Sequence, residues 1–193
     1  MKRLLATAAL AAAALVGGCA PLFTQSPGQG LSPVNAVSDG DDRHLILFGH
    51  DVVSYFTEQT HRPGDPAIRS VYQGVTFRFS RAEHKAMFDA APQRYLPQFG
   101  GYCANGIAYG IPWGGDADVW RVIDGKLYIF GGRGSRDAFL LDVPGNTALA
   151  ERYWREEVEG ANALVQRVKR LVFRVPHYKS GEELAAEVAR ARR

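Results

Sequence analysis

The stretch VWRVIDGKLYIFGG, residues 119–132, constrains the fold more than any other part of the chain. Two runs of β-branched and aromatic residues flank Asp124-Gly125. A two-residue Asp-Gly loop suits a type I′ turn, in which both central residues need positive φ. Strand side chains alternate between faces, so Val122 should face Leu127 and Trp120 should face Ile129. That side is wholly apolar and is expected in the core. Arg121 with Tyr128 and Val119 with Phe130 form the other side, expected to be partly wet or to lie under a loop. A second hairpin is read in IRSVYQGVTFRF about Gln73-Gly74. There Tyr72 should oppose Val75, Ser70 should oppose Phe77 and Ile68 should oppose Phe79, with a wetter reverse face of Arg69, Val71, Thr76 and Arg78.

Helical signals surround these hairpins. Ser80, with Glu83 three residues on, reads as an N-cap and capping box. The helix it opens runs through RAEHKAMFDAA, and Pro92 stops it. His84 reads as a residue on that helix's flank rather than as a ligand. From Pro92 to Asp118 the chain is irregular, yet it carries Tyr95, Phe99, Tyr102, Tyr109 and Trp113. Such a loop should pack its rings inward or line a pocket with them. Residues 147–172 read as one long helix, because Trp154, Val158, Ala161, Val165, Val168 and Val172 recur every three or four residues. Pro176 breaks the pattern, and Ser180 with Glu183 makes a second capping box for a last short helix. Together these signals predict an α+β fold: small antiparallel hairpins and sheet packed with short helices, plus a long C-terminal helix.

The first eighteen residues read as a leader. Lys2 and Arg3 precede an apolar run, Leu4 to Val16, that is too short to span a bilayer well. Gly17 and Gly18 then precede Cys19. The ending LVGGC resembles the lipobox of bacterial lipoproteins. That resemblance implies cleavage before Cys19 and a thioether lipid on its sulfur, making the membrane a partner through the anchor. Ala20, where an aspartate would imply inner-membrane retention, points to the periplasmic face of the outer membrane. Residues 19–43 are punctuated by Pro, Gly, Ser and Asp and read as the lipidated end and a flexible tether. Residues 44–159 read as the folded domain and 160–193 as a basic helical extension. That extension holds eight Lys or Arg against three acids. It is expected to present a solvated face or to touch an anionic surface. With the leader's two cations removed the rest is nearly neutral, so no nucleic-acid partner is expected. With Cys19 lipidated, Cys103 is the one remaining thiol, and no intrachain disulfide can form.

Three segments, GHDVVSYF at 49–56, GVTFRFSRAEHKAMFDAAPQRYLPQFGGYCA at 74–104 and WRVIDGKLYIF at 120–130, resemble the YHS-domain proteins, specifically the secreted single-domain bacterial group. The likeness runs from about residue 47 to 155, and PQFGGYCA is its most specific part. It implies a YHS-like domain over 44–159. The wider family is described as heavy-metal-associated, and some relatives carry paired cysteines. This chain departs from the pattern: His50 stands where the family has tyrosine, Val52 where it has proline, and Gly131-Gly132 where an asparagine-containing end is usual.

The chemistry turns on Cys103. Thiolate with imidazole suits copper or zinc, and the candidate metal ligands are Cys103, His50 and Asp51. Against that, no histidine or cysteine pair has ligand spacing, and a free cysteine beside a glycine turn is commonly a small buried apolar residue. GGRGSR at 131–136 lacks both Rossmann spacing and a Walker lysine. No catalytic residue is nominated, and an enzyme is not expected. The primary reading is a binding lipoprotein that holds a metal ion or small ligand near the Gly-Gly-Tyr-Cys loop. The alternative is a structural or adaptor lipoprotein of the envelope, whose C-terminal helix meets a protein partner or an anionic surface. Convergence of Cys103, His50 and Asp51 would favour the first reading. A bare apolar stripe on the 147–172 helix would favour the second.

Overall fold

The structure, a computed structural model, describes residues 34–193. The leader, Cys19 and the first part of the tether lie outside the described residues. The fold is α+β, with two small sheets packed with short helices and a helical C-terminal region. Strands β1 (Ala36–Asp39), β2 (Asp42–Ile46), β3 (Asp65–Tyr72) and β4 (Val75–Phe79) form one sheet in the order β1-β2-β4-β3. β1 pairs with β2 and β3 with β4 antiparallel, and β2 meets β4 in parallel at Leu45 and Thr76. Strands β5 (Asp116–Ile123) and β6 (Lys126–Phe130) form a separate antiparallel pair.

Residues 36–43, expected in the tether, are part of this sheet. Val34 and Ala36 are buried, and β1 pairs Ala36 with Ile46 and Val37 with Leu45. The polar run that suggested a tether hides an ionic tie. Asp42 accepts from Arg69 and Arg78 at 2.6 Å each. Burial pushes the Asp42 carboxyl up, but the bonds from Arg78 and Arg69 outweigh it and hold the group below its usual range.

Both hairpins turn where expected. Gln73 and Gly74 have φ of 49° and 77°, and Asp124 and Gly125 have 49° and 73°, as a type I′ loop requires. Near each turn the expected partners face each other: Tyr72 with Val75, Ser70 with Phe77, Val122 with Leu127, Trp120 with Ile129 and Arg121 with Tyr128. Farther out both registers slip. Phe79 pairs with Asp65 rather than Ile68, and Phe130 with Asp116 rather than Val119. At each slip three extra residues on one strand bulge out and break the alternation. Thr76, expected on the wetter face, is buried because its hydroxyl donates to Arg43 O at 2.7 Å.

The helices of the first half are short. α1 (Ser54–Thr57) follows the loop after β2, and α2 (Ala82–Ala90) follows β4. Phe88 of α2 packs on Phe77 and Phe79, with ring centroids 4.5 and 5.2 Å away. α3 (Ala104–Ile107) sits in the irregular loop, and α4 (Arg133–Phe139) follows β6. The core has two parts. One gathers Val52, Val53, Tyr55, Phe77, Phe79, Leu127 and Ile129 against the four-stranded sheet. The other gathers Tyr102, Cys103, Ile107, Val119, Phe130 and Phe139 under the helices. The β5–β6 hairpin contributes one face to each.

The long C-terminal helix is α5 (Val143–Tyr153), continued by a π-turn over Trp154–Val158. It stops short of the expected Val172. Residues 159–162 leave the helix, and Asn162 starts a new one, α6 (Ala163–Val172), by accepting from the amides of Leu164 and Val165. The stripe is therefore broken: Val158 is buried, while Val165, Val168 and Val172 are each more than half exposed. α7 (Gly181–Ala191) opens with the expected capping box of Ser180 and Glu183. No helix among the described residues is long and apolar enough to cross a membrane.

Candidate functional site

The three candidate metal ligands are not brought together. The His50 imidazole is half-buried, with Nδ1 3.0 Å from the carbonyl of Leu47 in its own turn. Its nearest aromatic neighbour is the His61 ring, with centroids 5.8 Å apart. The Asp51 carboxylate is fully buried and already saturated. Oδ1 accepts from Val53 N at 2.9 Å. Oδ2 accepts from Ser80 N at 2.9 Å, Ser80 Oγ at 2.6 Å and His84 Nδ1 at 2.6 Å.

This knot explains one correction to the sequence reading. Ser80 does not cap α2, because its hydroxyl is given to Asp51; the N-cap position falls to Arg81, which makes no side-chain cap bond. His84 does lie on this helix, where it is buried and ties α2 to the loop after β2. Arg81 Nη2 lies 2.6 Å from His84 Nε2, so Nε2 accepts and Nδ1 carries the proton given to Asp51. Thr57 Oγ1 at 3.3 Å and Glu58, which also pairs with Arg62 and Arg81, complete the surroundings. Bonding to Arg62, together with the charges of Arg62 and Arg81, holds the Glu58 carboxyl below its usual range against a smaller opposing effect of burial.

Cys103 belongs to the other core. Its thiol is buried, 3.1 Å from Ser135 Oγ and 3.4 Å from the Gly106 amide, which donates to it. Its backbone N–H donates to Trp113 O at 2.9 Å. Sulfur and imidazole thus face different neighbours. Among the described residues no group of three His, Cys, Asp or Glu side chains is arranged to hold a metal ion. The residues present do not fit a copper or zinc site built on Cys103, His50 and Asp51.

The Gly-Gly-Tyr-Cys loop has a second feature that the sequence reading anticipated only as a pocket near it. Phe99, Gly100 and Gly101 have consecutive φ values of 54°, 59° and 78°. A bulky residue at positive φ is an outlier, and such strain collects at functional sites. The turn is held from outside by Asn35. Its backbone N donates to Gly100 O at 2.8 Å, and its Nδ2 donates to Gly101 O and Gly115 O at 3.1 and 3.0 Å. Tyr102 Oη donates to Val34 O at 3.1 Å, and burial raises that phenol well above its usual pKa.

Beside this turn lies a groove of about 780 Å³. It follows the seam between the two cores. Ile46, Tyr72, Val75 and Phe77 wall it on the sheet side, and Phe99 and Trp154 on the helix side. The Phe99 and Trp154 rings are 5.8 Å apart. Gln73, Gln93 and Gln98 bring amides to the wall, and Glu159 brings a carboxylate. Aromatic walls with a few polar groups, in a volume within the roughly 300–1,000 Å³ usual for ligand sites, suit a small ring-bearing molecule. His50, Asp51, His84 and Cys103 all lie outside its walls. The lining comes from segments far apart in the chain, so periodicity and motif spacing carry no signal for it.

No family model matches the chain, and neither a curated protein nor a solved structure matches it.

Proposed function

We propose that this chain is a lipid-anchored envelope protein of the YHS-domain type. In this reading it holds a small, largely apolar, ring-bearing ligand in the groove beside the Gly-Gly-Tyr-Cys loop, as a binding protein rather than an enzyme. The observation that carries the reading is the groove itself, with aromatic rings on both walls and the strained Phe99 turn at its edge. The metal half of the earlier expectation has no such support. The sulfur of Cys103 and the carboxylate of Asp51 are committed to protein donors in different cores.

The test uses anilinonaphthalene sulfonate as an aromatic probe. Its fluorescence should rise saturably on binding the protein, with one-site behaviour. The rise should be lost in Val75→Glu, which places an anion on the groove wall against the probe's sulfonate, and kept in Val168→Asp on the outer face of α6. No saturable rise, or loss in Val168→Asp with retention in Val75→Glu, overturns the reading. The second reading, a contact surface in the C-terminal helices, is favoured by one observation, the bare apolar face of α6.

A further inference from the structure

The rotation of α6 about its axis is fixed by its inner side. Ala163, Gln166 and Arg167 are buried. Gln166 Nε2 donates to Gly110 O at 2.9 Å, and Arg167 Nε donates to Pro112 O at 2.7 Å. Lys169 and Arg170 both pair with Glu157 of the preceding π-turn. Residues three and four apart share a helix face, so the outer side is Leu164, Val165, Val168, Leu171 and Val172, with Phe173 at its end. All but Leu164 are more than half exposed. A contiguous apolar patch of this kind, rimmed by polar groups, marks a surface that meets something.

Charge narrows what it meets. Residues 160–181 contain no Asp or Glu and five Lys or Arg: Arg167, Lys169, Arg170, Arg174 and Lys179. Lys169 flanks the apolar face and Arg174 lies just past its end, both largely exposed. We propose that the outer face of α6 lies on the anionic membrane surface to which the lipid on Cys19 holds the chain. Leu164, Val165, Val168, Leu171, Val172 and Phe173 then enter the boundary between headgroups and acyl chains. Lys169 and Arg174 sit at the level of the phosphates. The proposal rests on the lipoprotein reading of Cys19 and is independent of the groove.

Three observations favour a lipid surface. From Cys19 to Val34 the chain spans at most roughly 50 Å, at about 3.3–3.6 Å per residue, so the anchor holds the domain within reach of the bilayer. The several acyl chains of such an anchor hold the protein by themselves, so a basic or amphipathic second contact sets how the domain lies on the surface rather than whether it stays there. Once the anchor is in place that second contact is intramolecular and needs little intrinsic affinity. A second copy of this chain is the poorer occupant. Two α6 faces brought together would set Arg174 of each near like charge, with no acid in residues 160–181 to meet it, while Glu157 already takes Lys169.

The test uses the full lipidated chain in vesicles of phosphatidylethanolamine and phosphatidylglycerol that contain acyl-chain spin-labelled lipid. A bimane label is placed at Val168→Cys or, as a control, at Glu83→Cys on α2. Spin-labelled lipid should quench the label at 168 several-fold and leave the label at 83 unchanged. If the protein floats with the vesicles while the label at 168 stays bright, the anchor stands and the α6 proposal fails. If the unlabelled Val168→Cys protein in the same vesicles oxidises to a 168-to-168 disulfide while the labelled form is not quenched, the face belongs to a second copy and the proposal also fails. If the protein does not float at all, neither the anchor nor α6 holds it, and both readings are overturned.

Discussion

Removing the carboxylate of Asp51 should be among the costliest single changes to the folded domain. Asp51→Ala deletes the acceptor for four donors: the amides of Val53 and Ser80, the Ser80 hydroxyl and the His84 Nδ1–H. Neither Asp51 nor His84 has meaningful exposure, so water cannot easily replace the lost oxygens. An unpaired buried donor costs about 1–3 kcal/mol, and breaking a buried charged network by removing one partner costs about 3–5 kcal/mol. Because the four bonds share one group they do not add, and about 3–5 kcal/mol is the expected loss. That is a large part of the roughly 5–15 kcal/mol that holds a typical domain together. Asp51→Asn should lose less, since its amide oxygen can still accept from Ser80 and His84 while its NH2 group turns towards the Val53 amide. Urea denaturation gives the measurement, as a shift in midpoint at unchanged slope. A double variant with Ser80→Ala supplies the check. Ser80 donates to the same oxygen, so the double variant should lose clearly less than the sum of the singles. A loss below about 1 kcal/mol for Asp51→Ala, the range of surface substitutions, or strict additivity with Ser80→Ala, would refute the reasoning.

Other changes probe separate parts of the fold. Gly125→Val should cost about 1–3 kcal/mol from backbone strain alone, because Gly125 has φ of +73° and nothing near its missing Cβ; a denaturation midpoint equal to that of the parent would contradict this. Cys103→Ala should cost about 1–2 kcal/mol, as loss of a small buried side chain does. Its thiol should react slowly with a thiol reagent in the native protein and quickly after unfolding, and equal rates would show that it is exposed. Burial raises the Glu157 carboxyl, but bonds from Lys169 and Gln166 and the charge of Arg170 outweigh this and hold it below its usual 4.5. A depressed carboxyl contributes stability that is complete above the unfolded pKa and lost as pH falls through the folded one. The difference in denaturation midpoint between the parent and Glu157→Gln should therefore be largest above about pH 4.5 and shrink in more acid solution. A difference that stays constant through that range would show that the pairing does not set it.

What the sequence made legible was local. Asp124-Gly125 and Gln73-Gly74 disclose their hairpins because turn chemistry is written in the two turn residues themselves. The registers hold for a few pairs and then slip at bulges, which alternation does not encode. Ser180 and Glu183 form their capping box because nothing distant competes for the hydroxyl. Ser80 and Glu83 have the same spacing and fail, because Asp51, far back in the chain, takes the Ser80 hydroxyl. The partner of His84 was hidden for the same reason: Asp51 is remote in sequence. A stripe that crosses Gly160 looks continuous on a helical wheel only if the helix is continuous, and here it is not. At the candidate site, the glycine-aromatic context of Cys103 correctly suggested a buried residue beside a tight turn. The groove walls come from both cores at once and could be assembled only by the fold.

The Asn35 strap has a mechanical consequence. Any tension arriving along the N-terminal chain meets Val34 and Asn35 before it reaches the β1–β2 ladder. These two residues are fastened to Gly100, Gly101, Tyr102 and Gly115. The load path therefore runs first into the strained turn that edges the groove, and only then into the sheet. A pull applied at Val34 would thus bear on one lip of the groove before it bears on the sheet.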